Sequence, residues 1–195
     1  VKAFLADVDF SKVKLCLPNM PDDTVTLNGA IALMANVKEE GVDVQAAADA
    51  FDLNWRTLKV HKLGFDGSFI DGILSVNHFS AMAGEQGSLV VNGTVAADNT
   101  LNLSGRMAEF PIEPFLSFVG QEGSGLCSTG FDVTGTVASP EFGGIVQLRK
   151  IDFMEQNIVE AHGHVAMKDN VLAITNFVAN MKQGQHILNG SVDLT

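Results

Sequence analysis

The chain has 195 residues, 46% of them hydrophobic and 18% charged. That excludes a disordered tail and leaves enough apolar surface for a large core. The formal net charge of -11 argues against phosphate backbones and anionic membrane surfaces as partners, and no apolar run approaches the ~18–20 residues of a membrane-crossing helix.

The chain opens at Val1 in a strand-like segment and closes in LNGSVDLT, in the middle of a strand pattern. Both ends read as cuts, so residues 1–195 are expected to be one continuous β unit of a longer protein. Cys16 and Cys127 are too few for a disulfide framework and wrongly spaced for a zinc site. Many strands separate them, so their Cα atoms should lie beyond the ~7 Å reach of a disulfide.

After the turn signal PNMPDD comes LNGAIAL (27–33), with Leu27, Gly29, Ile31 and Leu33 on one face of a strand. VDVQAAADAFDLNWRTL (42–58) is Ala-rich, which suits a short helix. FDGSFIDG reads as turn chemistry. Its Asp66 and Asp71 lack the spacing of a calcium loop. Beyond AGEQG, the run LVVNGTVAA places Leu89, Val91, Gly93, Val95 and Ala97 together. AADNT marks a turn, and LNLSGRM then aligns Leu101, Leu103, Gly105 and Met107. PIEPFLSFVG (111–120) suits a helical turn or capping loop. GQEGSGLC reads as a flexible turn, since Ser124 lacks the framing of a nucleophile elbow.

In FDVTGTVAS, Phe131, Val133, Gly135 and Val137 share a face. SPEFGG follows as a turn signal. VEAHGHVAM places Val159, Ala161, Gly163, Val165 and Met167 on one face and His162 and His164 on the other. The two histidines lack a visible third ligand and read as solvent-facing, so no metal is assigned. MKDN, VLAITNFVANM (a less regular strand pattern), KQGQ and LNGSVDL complete the chain.

One phrase recurs: apolar, Asn or Thr, Gly, small, β-branched. It occurs around Gly29, Gly93, Gly135 and Gly190 at uneven spacing, unlike a fixed-period array. Each glycine falls on the apolar face. Such glycines either bend a strongly curved sheet or let two sheets approach closely. Both alternatives fit the pattern.

The run GFDVTGTVASPEFGGIVQL, with Gly135, Thr136, Pro140, Phe142, Gly143 and Gly144, and the close on ILNGSVDL resemble the TamB/AsmA-like family of periplasmic bridge proteins. The preceding LNLSGRMAEFPIEPFLSFVGQEGSGLCSTG resembles it too, and the likeness is weaker over residues 1–50. The resemblance implies an all-β fold: a long, curved, mostly antiparallel sheet folded into an open U-shaped apolar trough, with at most one or two short helices. It implies a periplasmic location in a diderm bacterium and an inner-membrane anchor outside this segment. Phospholipid acyl chains and a BamA-like outer-membrane barrel are the implied partners, with no cofactor, no nucleic acid and no catalysis. The groove would be lined by Leu89, Val91, Gly93, Val95, Leu101, Leu103, Phe131, Val133, Gly135, Val137, Val165 and Met167. The rivals are a chaperone for outer-membrane β-barrel assembly, a polysaccharide-acting β-solenoid enzyme and an adhesin fragment. The enzyme would need a carboxylate and basic cluster that the sequence does not display.

Overall fold

The computed structural model describes residues 26–38, 41–55, 58–113, 116, 122–153, 156–182 and 184–193. Eleven strands run through them: β1 (Thr26–Lys38), β2 (Gly41–Trp55), β3 (Leu58–Ile70), β4 (Ile73–Ala83), β5 (Gly87–Val95), β6 (Leu101–Pro111), β7 (Gly123–Gly135), β8 (Pro140–Phe153), β9 (Gln156–Lys168), β10 (Val171–Met181) and β11 (Gly184–Asp193). They form one sheet in chain order, β1 at one edge and β11 at the other. Every neighbouring pair is antiparallel. The edge strands are not paired with each other, so the sheet is open. The expected class, all-β with one open antiparallel sheet, is the observed one.

Short connections make neighbours in sequence neighbours in space. Two hairpins turn on two residues that both have positive φ: Asp71 (50°) with Gly72 (79°), and Asp169 (51°) with Asn170 (60°). This is the type I′ geometry, whose twist suits a β-ribbon and which Asp, Asn and Gly adopt most readily. Asp71 is thus a turn residue, as expected. Asp66 and Gly67 instead lie inside β3, where Asn77 Nδ2 donates to Asp66 Oδ1 at 2.7 Å.

Strand side chains alternate faces with period two, yet the apolar residues of six strands include a step of three: Val60 to Leu63, Val76 to Phe79, Met107 to Phe110, Leu148 to Ile151, Ile158 to Ala161 and Ile174 to Phe177. Local register shifts absorb these steps. An extra residue restores the parity, so the apolar side chains on both sides of it stay on one face. Three of the extra residues have left-handed backbones: Glu109 (φ 45°), Lys150 (52°) and Asn176 (50°). In two, a side chain of the next strand accepts from the bulged N–H: Glu109 N donates to Ser128 Oγ at 2.9 Å, and Asn176 N to Asn189 Oδ1 at 2.7 Å. Bulges bend a strand and sharpen its twist, so the sheet carries built-in curvature.

The most buried cluster lies towards one end of β3, β4 and β6. Leu58, Val60, Ala81, Ala83 and Phe110 form it, with Leu63, Phe79, Leu89 and Met107 packed against it. Phe110 follows the bulge in β6. Gly87, which begins β5, has no side chain to intervene, and a Cβ there would lie 2.9 Å from Glu109 O.

Several sequence expectations need correction. The Ala-rich segment 42–58 is not helical: it forms β2 and the start of β3. Helix propensity differs by only tenths of a kcal/mol per residue. Pairing with β1 on one side and β3 on the other outweighs it. Val42, Val44, Ala46 and Ala48 also alternate as a strand requires. The stretch SGLC belongs to β7, not to a turn. Val159 does not join Ala161 on the apolar face: it is the extra residue in the β9–β10 register and is exposed, and Ile158 pairs with Ile151 instead. PNMPDD, Cys16 and most of PIEPFLSFVG lie outside the described residues. Leu116 N donates to Ile112 O at 3.1 Å, the spacing of one helical turn.

Phe110 is 2% exposed. Phe110→Ala should therefore lower unfolding stability by about 3–5 kcal/mol, measured by urea melts. A cost below about 1 kcal/mol would contradict this placement of the core.

Candidate functional site: the apolar face

The register lines up residues of successive strands into rows that cross the sheet. One row runs Ala46, Gly67, Val76, Gly93, Leu103, Val133, Phe142, Met167, Leu172, Val192. The next runs Ala48, Phe65, Phe79, Val91, Gly105, Phe131, Gly144, Val165, Ile174, Gly190. Flanking rows add Leu74, Val95 and Leu101 on one side and Ala81, Leu89, Met107 and Val146 on the other. In β6 and β7 these positions are half-buried and alternate with exposed ones. Among the described residues no second layer covers them, so their burial comes from side chains of the same face covering one another.

Glycines make room within the rows. Phe131 is paired with Gly105 on one side and Gly144 on the other, and a Cβ on Gly105 would collide with its ring. A Cβ on Gly163 would lie 2.7 Å from Cδ2 of Phe177. The Phe131 ring also tilts against Phe142, centroids 6.1 Å apart.

The recurring Asn-Gly phrase has a related reason. Asn92 and Asn189 face the two-residue bulges Asn77–His78 and Thr175–Asn176, and Gly29 faces Ala50–Phe51. Gly93, at φ 134°, sits so close to β6 that a Cβ would lie 2.7 Å from Leu103 Cα. Gly135 differs, since its φ of 79° ends β7 and starts a turn closed by Thr136 and Ser139.

Ten of the twelve sequence-derived groove residues therefore share this face: Leu89, Val91, Gly93, Val95, Leu101, Leu103, Phe131, Val133, Val165 and Met167. Gly135 is the last residue of β7, opposite Pro140. Val137 lies beyond the strand in the turn, 59% exposed, where its N–H donates to Asn99 O at 3.0 Å. Parity had placed it with Val133, but alternation ends at Gly135. Sequence reading missed Phe65, Phe79, Phe142, Leu172 and Ile174. The steps of three hide those in β4 and β10, and turn-like flanks (Asp66-Gly67, Gly143-Gly144) hide Phe65 and Phe142.

The other face is mixed, with exposed Met82, Val90, Ile145 and Ile187 among polar side chains. His162 and His164 are exposed there, and Ser104 Oγ donates to Asn92 Oδ1 at 2.7 Å. Exposed ion pairs tie strands together: Glu109 to Arg149 across β7, and Glu141 to Lys168, each at 3.0 Å. Among the described residues no three His, Cys, Asp or Glu side chains cluster in a way that could hold a metal. A further concavity of about 420 Å³ lies at the strand ends, lined by Glu85, Glu109, Pro111, Ser124 and Lys150 among others.

Within the apolar face, Cys127 is paired between Phe110 and Leu148 and is a free thiol. Burial pushes its pKa up to about 11. Comparison with protein-family models, with curated proteins and with solved structures finds no match for this chain.

Two outcomes follow for these side chains. Gly105→Ala should destabilise by about 1–3 kcal/mol through overpacking, and by less in a Phe131→Leu background. Additivity of the two substitutions would contradict the ring-over-glycine contact. For Cys127, the raised pKa favours the neutral thiol in the folded state. Its stabilising effect is intact below the unfolded pKa of about 8.5 and is lost as pH rises towards the folded value. Iodoacetamide alkylation of the native protein should accelerate up to about pH 11. A plateau near pH 8.5 would show an exposed thiol.

Proposed function

We propose that this chain is a non-catalytic groove segment that shields phospholipid acyl chains, as in the TamB/AsmA-like proteins its sequence resembles. On this reading the bulged strands curve the open sheet about its apolar face into a trough open along one side. The observation that carries the reading is the set of apolar rows crossing every strand from β2 to β11 with no second layer among the described residues. A soluble protein seldom leaves so continuous an apolar surface without an occupant. Each acyl CH₂ removed from water contributes ~0.8 kcal/mol, so a chain of about fifteen would gain roughly 12 kcal/mol before ordering costs. An open face recovers part of that, which suits a ligand that must also leave. On this reading the segment works in the periplasm, between an inner-membrane anchor and a BamA-like outer-membrane barrel, both outside this chain.

The test compares an inward and an outward substitution. Val133 is half-buried in a row, and Thr134 is exposed on the opposite face. Val133→Arg can snorkel to water from an open trough. It should stay folded by circular dichroism and bind several-fold less of a fluorescent phospholipid, with Thr134→Arg unchanged. Full lipid binding by folded Val133→Arg contradicts the groove. Loss of folding by Val133→Arg alone would indicate a closed core at this position.

A further inference from the structure

The apolar face is not equally open at the two ends of its strands. Its buried hydrophobic side chains, from Leu58 and Val60 through Ala83 and Phe110 to Ile151 and Ala161, lie in the half where β3, β5, β7 and β9 begin and β4, β6 and β8 end. At the opposite end the outermost row runs Val44, Phe69, Leu74, Val95, Leu101. There Phe69 is 45% and Leu74 37% exposed, and the other three are half-buried. An acyl chain thus meets uncovered apolar surface towards this end. Towards the other end it meets side chains already packed against one another.

The rim beside the open row is built by the connections β3–β4, β5–β6, β7–β8 and β9–β10, all within the described residues. The charged residues in or next to them are Asp71, Asp98, Glu141, Lys168 and Asp169. Lys168 Nζ donates to Glu141 Oε1 at 3.0 Å. Asp71, Asp98 and Asp169 form no ion pair among the described residues. Hydrogen bonds from Thr100 hold the Asp98 carboxyl below its ordinary value, so it is ionised at neutral pH. The opposite strand ends mix both signs, with Lys59, Lys150 and Lys182 beside Glu85, Glu122 and Asp152. The acidic rim therefore coincides with the open end of the apolar face.

Resting on the acyl-chain reading above, we propose that the occupant is a zwitterionic phospholipid, its chains on the open half of the face and its headgroup at this acidic rim, and that the rim discriminates against anionic headgroups. Charge complementarity selects this occupant. A zwitterionic headgroup carries its ammonium at the outer end, where it meets Asp71, Asp98 and Asp169. A headgroup of net negative charge brings like charge to the same carboxylates. Juxtapositions of this kind set specificity more than affinity.

The test uses the whole chain and two phospholipids with identical, fluorescently labelled acyl chains, one with a phosphoethanolamine and one with a phosphoglycerol headgroup. At low ionic strength the first should bind roughly fivefold tighter, the scale of one or two exposed charge contacts. The preference should shrink in ~1 M salt, where the Debye length is about 3 Å. Asp71→Asn, Asp98→Asn and Asp169→Asn together should bring it close to unity. Asn tolerates the left-handed turn backbone at 71 and 169 and can still accept from Thr100 at 98. Glu85→Gln, Glu122→Gln and Asp152→Asn together make the same change in net charge at the other end and should leave the preference intact. Equal or tighter binding of the anionic lipid by the unmodified chain overturns this proposal and leaves the acyl-chain reading standing. So does a rim variant that keeps the preference, or an equal loss in both triple variants, which would assign it to net charge alone. Binding of neither lipid overturns both.

Discussion

Parity is the constraint on which the structure depends. A sheet without a second layer can gather its apolar side chains only by keeping them on one face, and a slip of one residue would send the rest of a strand to the other face. Six strands contain an apolar step of three, which would cause that slip. The bulges absorb it. Each also creates a backbone group out of register with the ladder, and burying such a group without a partner would be costly. Ser128 and Asn189 meet that need at Glu109 and Asn176. At the bulge in β4 the contact is between side chains alone, Asn77 Nδ2 donating to Asp66 Oδ1. The same devices that preserve parity bend the strands, so the polarity of the sheet and its curvature have a common cause.

Much of this was legible in the sequence where alternation was strict. β5, β6 up to Met107, and β7 keep period two, and ten residues of the apolar face could be placed from parity alone. Reading failed where the backbone left the ideal strand. Val159 and Val137 were assigned by counting through positions where the count no longer holds, one at a bulge and one past the left-handed Gly135. The irregular pattern of VLAITNFVANM is regular once Asn176 is taken out as the extra residue. The Ala-rich stretch of β2 misled for another reason: a local preference of tenths of a kcal/mol per residue yielded to pairing on both sides. Gly105 and Gly163 could not be explained without their partners, since the rings that occupy their space come from the following strands.

The recurring glycine phrase joins local geometry to the face. Around Asn92 and Asn189 it lies opposite a bulge. At Gly93 it permits close approach of a neighbouring backbone. At Gly135 it ends a strand. The phrase marks places where the sheet departs from flatness, which explains its uneven spacing. The outcome is a surface with apolar rows from β2 to β11, aromatic at Phe65, Phe79, Phe131 and Phe142, and mixed in character on its reverse.

The acyl-chain reading rests on that surface being an open face and not half of a dry core. Native mass spectrometry of the protein purified from a phospholipid-containing host tests this most directly. The account predicts adducts with phospholipid masses that survive gentle desolvation and disappear after organic extraction, with the sheet still folded. A folded protein at its bare mass, before any delipidation, would contradict it.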